Sequence, residues 1–350
     1  MKSTPTDPVI KFFISVLGLI VIFMVLKELQ HIFIPLIIAY FLYFLFEPIN
    51  KFLIKKRIPG SISVLLDLAI LVGLLWGISS VIVVSFGQFG EELPIYEQKL
   101  NNLVSSTGQS LGIDNHLIKD FNIRNILSDL DYGGIASGFF SSTLSMFSTL
   151  FFVLFFFIFI SSGHSKLLAV IKNRYVNNSE SSLDSSDTIE RTFHDITTQV
   201  QRYISIKFFI SLSIGVIIGI ILWLFGVKFF VVWAVLTFLL NFIPNIGSVV
   251  AVVLPSLMAL VQFESFGYTL LIAAVITLFQ NIIGNIVEPK IFGESLGLNP
   301  LVILLSLLLW GYIWGIVGMF LSVPLTAILK IIISRSDSSN LNFIGDLMSN

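Results

Sequence analysis

Apolar residues in this chain fall into long unbroken runs, without the strict alternation of strands. The runs Val9–Leu26, Ile32–Ile49, Ile62–Phe86, Gly138–Ser162, Ile204–Val227 and Tyr268–Ile286 are near the ~20 residues that carry a helix across hydrocarbon. Phe229–Val261 and Leu301–Ile333 are longer, at 33 residues each. As straight helix each would measure about 50 Å at ~1.5 Å per residue, against a hydrocarbon core of about 30 Å. A helix meets its own backbone hydrogen bonds in lipid. A barrel strand would alternate apolar and polar residues, which Phe151–Ile160 does not. The pattern predicts an all-α, polytopic transmembrane protein of about eight spans, with two broken or re-entrant segments in the C-terminal third.

Polar stretches divide the runs. Residues 1–87 hold the first three spans, 88–137 an extracytoplasmic helical segment and 138–162 the fourth span. Residues 163–203 are expected to form a cytoplasmic linker and amphipathic helix, 204–334 a repeat-like core and 335–350 a cytoplasmic tail. In the outer segment Ile113, Leu117, Phe121 and Ile126–Leu127 predict a small helical cap, with covering or bracing as its ordinary role. In the inner one, serine-rich Asn177–Ser186 reads as a linker. Asp187 with Glu190 resembles a capping box, followed by Ile189, Phe193, Ile196, Val200 and Tyr203 at helical spacing.

Charge orients the spans. Lys51, Lys55, Lys56 and Arg57 crowd the loop after the second run, and Lys166, Lys172, Arg174, Arg202 and Lys207 crowd the inner segment. Positive residues favour the cytoplasmic side. Both termini are therefore expected in the cytoplasm, with Lys330 and Arg335 agreeing. The outer segment has seven acidic and three basic residues, consistent with the opposite side. Lys2 and Lys11 before Phe12–Leu26 suggest a signal peptide, yet no small-residue cleavage site follows, so a retained first span is expected.

Composition narrows the function. Only 12% of the 350 residues are charged and 55% are apolar, against about 25% charged in soluble domains. The net charge of −1 gives no basic stripe for nucleic acid. Without cysteine, thiol catalysis, thiolate metal sites and disulfides are excluded. His31, His116, His164 and His194 lack metal-ligand spacing, and no phosphate-binding loop appears. Neither metal nor cofactor is expected, and an enzyme is disfavoured for want of a nucleophile–base motif.

The two overlong runs carry matching interruptions. Asn241-Phe-Ile-Pro244-Asn245-Ile-Gly247 breaks the first, with Pro255 following; Gly311-Tyr-Ile-Trp-Gly315-Ile-Val-Gly318 breaks the second, with Pro324 following. Proline removes a backbone donor, and glycine tolerates the conformations a break needs. Irregular backbone at membrane depth survives inside protein or beside water. Paired breaks in related halves point to a transporter's binding site; the blander reading is close packing and kinks. Hairpins would put Gln262–Phe266 outside and Glu288–Asn299 inside, whereas kinked crossings would reverse both.

Polar residues within apolar helices are costly and mark function. Gln280, Asn281, Gly284, Asn285 and Glu288 recur at spacings of three to four, and Pro289 then ends the helix. Asn241 and Asn245 are expected to converge with this stripe, offering amides to a polar solute, with Glu288 as cation or proton acceptor. The alternative for Glu288 is an interfacial ion pair with Lys290 or another lysine. Asp67 reads as an interfacial anchor, and Glu47 with Pro48 sits at a helix end.

The ordered set Phe242-Ile-Pro244-Asn245-Ile-Gly247, Gln280-Asn-Ile-Ile-Gly-Asn-Ile-Val-Glu288-Pro-Lys-Ile-Phe-Gly293, Leu298-Asn-Pro300, Trp310-Gly311, Gly315-Ile-Val-Gly318 and Val323-Pro324 resembles the AI-2E family of bacterial inner-membrane proteins. The resemblance covers most of the chain and is most specific from Ile204 onward. It implies about eight spans, a homo-oligomer such as a pentamer, and export of a small molecule or ions without an ATPase. The family is named for autoinducer-2 export, and other members are associated with sodium–proton antiport. By motif, Pro244, Asn245, Gly247, Gln280, Asn285, Glu288 and Pro289 are this chain's signature positions.

The leading expectation is a secondary transporter exporting a small polar molecule such as autoinducer-2, coupled to an ion gradient. Its expected partners are that solute or a monovalent cation, the bilayer and further copies of the chain. A sodium- or lithium-proton antiporter is the alternative within transport. A non-transporting membrane scaffold is the alternative from another class.

Overall fold

The computed structural model describes residues 8–110, 148–163, 183–292, 297–334 and 339–349. Helices follow the apolar runs: α1 (Pro8–Glu28), α2 (Gln30–Lys55), α3 (Gly60–Ser110), α4 (Ser148–Gly163), α5 (Leu183–Leu224), α6 (Phe230–Leu240), α7 (Ile246–Phe263) and α8 (Phe266–Ile282). A π turn, Ile283–Val287, leads into α9 (Glu288–Phe292), and α10 (Pro300–Ser334) and α11 (Ser339–Leu347) complete the chain. Six described helices are long and apolar enough to cross a membrane. Large apolar side chains such as Phe52, Trp76, Leu270 and Ile316 lie exposed on them, as lipid-facing surfaces require. The protein is thus a polytopic helical membrane protein.

α3 runs further than its sequence implies, while α5 joins the amphipathic helix to the next span as its sequence implies but starts earlier. α3 continues past Phe86 to Ser110, so the start of the expected outer cap is an extension of the third span. Ile113, Leu117, Phe121 and Ile126–Leu127 lie outside the described residues, as do His116, His164, Arg335 and residues 164–182. α5 begins at Leu183, ahead of the expected cap at Asp187, and is continuous to Leu224. No proline or glycine stands between Leu183 and Ile214 to interrupt it.

The chain forms two compact units. One comprises Met1–Gly60, Phe147–Gln201 and Gly297–Asn350. In its core Trp310, Ile313, Trp314 and Leu321 of α10 are packed by Phe23 and Leu26 of α1 and by Ile34 and Phe41 of α2. The other comprises Ser61–Met146 and Arg202–Leu296. There α5, α7 and α8 meet through Ile214, Ile218, Leu222, Met258, Ile272 and Ile276.

Both overlong runs are hairpins. In α10, Trp314 and Gly315 leave helical geometry, with Gly315 at φ 61° and ψ −141°. Trp310 Nε1 donates to Thr326 Oγ1 at 3.2 Å. A straight helix would hold residues 16 apart at about 24 Å, so the chain has doubled back. In the other unit α6 and α7 pack side by side across the connector 241–245. The same device closes both turns. A Cβ on Gly247 would overlap the carbonyl oxygen of Leu240, and one on Gly318 that of Trp310. Each glycine lets the returning arm lie against the end of the first. The choice between hairpin and kinked crossing is settled by these contacts.

Candidate functional site

One row of residues on α5 organises the polar groups of its unit. Tyr203, Lys207, Ser211, Gly215 and Gly219 recur every fourth residue and so form a ridge along the helix. Its second half is small. A Cβ on Gly215 would approach the Ala234 carbonyl oxygen to 2.9 Å, and one on Gly219 the Ala234 Cβ to 2.8 Å. α6 is therefore seated tightly on α5, as small-residue helix contacts allow. Gln262, at the far end of α7, donates to the Gly226 carbonyl at 2.7 Å and accepts from the Lys228 N–H at 2.8 Å. The hairpin's open end thus sits by the end of α5. Its tip reaches Ser211, which lies 13 residues before Leu224, about 20 Å along the helix.

The first half of the ridge is polar. Lys207 Nζ meets Glu288 Oε1 at 2.6 Å, with the lysine side chain 8% and the glutamate 22% exposed. One turn on, the Asn241 amide donates to Ser211 Oγ at 2.9 Å. One turn back, Tyr203 stacks on Phe292 at 5.2 Å between centroids. Phe292 is four residues beyond Glu288, so α5 and α9 meet as two ridges, an aromatic pair beside an ion pair. Residues four apart on a helix have Cβ atoms about 5–6 Å apart. The hairpin tip and Glu288 consequently act on neighbouring turns of α5.

Asn241 and Glu288 thus bond to α5 one turn apart, at Ser211 and Lys207. Asn245 is exposed at the tip with φ 59°; its carbonyl accepts from Ser248 Oγ at 2.8 Å. Pro244 lies in the connector. Gln280 is half-buried. Asn281 and Asn285 are exposed and bonded along their own helix: Asn281 donates to the Thr277 carbonyl and Asn285 to Asn281 Oδ1, each at 2.9 Å. The structure does not bring these two to Lys207. The wider π turn, which includes Gly284, separates their face from that of Glu288. Such turns frequently mark functional positions.

Among the hinge candidates, Pro255 and Pro324 are buried within helices, Pro289 is the second residue of α9, and Gly311 faces Met319. Glu288 pairs with Lys207 rather than Lys290, which is exposed. Asp67, read as an interfacial anchor, is completely buried. Sequence reasoning missed Lys207 and Ser211. Lys207 was counted with the cytoplasmic charges, although it follows Ile204-Ser-Ile at the start of an apolar run. That position was the available signal.

The family model described as AI-2E family transporter matches residues 12–337. A provisionally named transport protein of Borreliella burgdorferi is 31% identical over 314 residues, covering 88% of this chain and 83% of its own. The AI-2 transport protein TqsA of Escherichia coli K12 is 29% identical over 335 residues, 92% of each chain. A provisionally named transport protein of Haemophilus influenzae is 29% identical over 332 residues, 93% of each.

Proposed function

The chain belongs to the AI-2E family of transporters, and from that premise we propose that it is a secondary, ATP-independent transporter moving a small polar molecule such as autoinducer-2 outward, coupled to an ion gradient. The relative TqsA carries an AI-2 name, which supports that cargo class. The observation that carries the reading is the polar ridge of α5, where Asn241 and Glu288 meet Ser211 and Lys207 inside apolar helices. Polar groups so placed are expensive unless they serve a path or a site.

In this mechanism the exposed amide of Asn245 and the amide of Asn241 receive the cargo's hydroxyl and carbonyl oxygens. Binding competes for the Asn241–Ser211 bond and frees the tip to shift along α5. Lys207 and Glu288 neutralise each other while the site is empty, so neither charge stands alone in a low-dielectric surround. Gln280 and Asn281 on α8 and Asn285 in the π turn offer the cargo a second polar face, separate from the Lys207–Glu288 pair. We assign both termini to the cytoplasm on the distribution of lysine and arginine, and the protein to the bacterial inner membrane on its family membership.

The ion pair itself favours a second reading, cation–proton antiport. A sodium ion or proton arriving at Glu288 replaces the ammonium of Lys207 as its counter-charge. Purified protein in liposomes separates the two. A pH gradient that collapses with sodium alone, and not in Glu288→Gln, supports antiport. Flux that depends on autoinducer-2 supports solute export. Transport left intact by both Asn241→Ala and Glu288→Gln in folded protein refutes the site.

A further inference from the structure

Beyond the polar half of the ridge, two neighbouring cavities share Phe230 and Val231 as a common edge. The larger, about 540 Å³, is lined by Ser85, Gln88, Glu91 and Glu92 of α3 and by Lys228. The smaller, about 290 Å³, is an apolar groove between α5 and α6 beside Val216, Gly219, Trp223 and Ala234. The apolar run of α3 ends at Phe86 and that of α5 at Val227, so Glu91 and Lys228 stand where hydrophobic helix gives way to polar sequence. A membrane changes there from acyl chain to headgroup.

The charges in the larger cavity are only partly used. Lys228 Nζ donates to both oxygens of Glu92 at 2.7 Å, and Tyr96 donates to the same carboxylate at 2.6 Å. An ammonium has three donors, so Lys228 retains capacity for another acceptor. Glu91 is exposed and makes no ion pair among the described residues. The cavity thus offers an acceptor carboxylate and a donor ammonium together, with an apolar groove leading away from them.

We propose that this pair of cavities binds one zwitterionic phospholipid with a primary-amine headgroup, a phosphoethanolamine lipid. Its phosphate takes the remaining donor of Lys228. Its ammonium meets Glu91, with Gln88 and Ser85 as further acceptors, and one acyl chain crosses the Phe230–Val231 edge into the groove. The pattern discriminates among headgroups. A glycerol headgroup leaves Glu91 unpaired, and a trimethylated ammonium has no N–H to donate to it. A charged hydrogen bond contributes enough to separate such ligands on the order of tenfold. The site is independent of the transport reading, because lipid binding is measured without flux.

The test is native mass spectrometry of the full-length protein after equilibration with equal amounts of phosphatidylethanolamine, phosphatidylcholine and phosphatidylglycerol. The expected result is retention of the ethanolamine lipid by about tenfold over either other lipid. Glu91→Gln should reduce it to the level of the choline lipid. Val216→Trp, at a position 52% exposed, should fill the groove and reduce retention of all three. Equal retention of the three lipids by the unmodified protein overturns the proposal. So does unchanged selectivity in folded Glu91→Gln. Displacement of the lipid by free ethanolamine at equal concentration would assign the cavity to a soluble amine instead, and would also overturn it.

Discussion

Removing either partner of the Lys207–Glu288 pair should destabilise the protein far more than removing both. At an effective dielectric of about 20, unit charges 2.6 Å apart attract by about 6 kcal/mol. Desolvation of the two groups offsets much of that, since the lysine side chain is 8% and the glutamate 22% exposed. Taking one away leaves the other charged and nearly enclosed, at a cost of about 3–5 kcal/mol. We expect Lys207→Met and Glu288→Gln each to fall in the lower half of that range, because Glu288 keeps some access to water. The double variant replaces the pair with neutral groups of similar length and should lose no more than about 1–2 kcal/mol. A double-mutant cycle on purified protein in detergent, followed by tryptophan fluorescence during denaturant unfolding, gives the coupling directly. Single losses of about 3–4 kcal/mol each, against about 1–2 kcal/mol for the double variant, put it at roughly 4–7 kcal/mol. Additive single variants, with a coupling under about 0.5 kcal/mol, would refute the reasoning and mean that the two charges are satisfied by other groups.

Further outcomes follow from the hairpins and the amide contact. Gly247→Ala or Gly318→Ala drives a methyl into a backbone carbonyl and should cost more than about 3 kcal/mol or abolish folding, read as loss of monodisperse protein in size-exclusion chromatography. A Gly311→Cys/Met319→Cys pair should form an intramolecular disulfide on mild oxidation, because a Cβ at Gly311 lies 3.0 Å from Met319 Cγ. The chain has no other cysteine to confuse the readout, and an uncrosslinked product would argue for a straight crossing. Asn241→Ala should cost about 1–2 kcal/mol by stranding the hydroxyl of Ser211, which is fully buried. Transport should fall further than that stability loss explains, which a flux assay normalised to folded protein would show.

The helical membrane class was legible because lipid rewards long apolar runs directly, and the breaks because proline and glycine announce themselves. The hairpins were not legible. Whether a chain bends or reverses at Gly315 depends on whether Trp310 finds Thr326 and Gly318 finds a carbonyl, contacts that no local propensity encodes. The polar stripe on α8 was read at ordinary helical spacing. The π turn at Ile283–Val287 changes that spacing just before Glu288, dividing one predicted face into two. Lys207 was misread because a lysine near a helix end resembles an anchor in sequence. Only the approach of Glu288 from a segment 81 residues away makes it part of a site.

The reach of α3 has a mechanical consequence. At 51 residues it measures about 75 Å at ~1.5 Å per residue, more than twice the hydrocarbon thickness of about 30 Å. A rod of that length pivoting within the bilayer magnifies small rotations: a tilt of about 5° moves a point ~50 Å from the pivot by roughly 4 Å. Its distal end, near Asn101 and Asn102, is therefore a sensitive place for a spin label or fluorophore. Tilts too slight to resolve among packed side chains would register there as measurable travel.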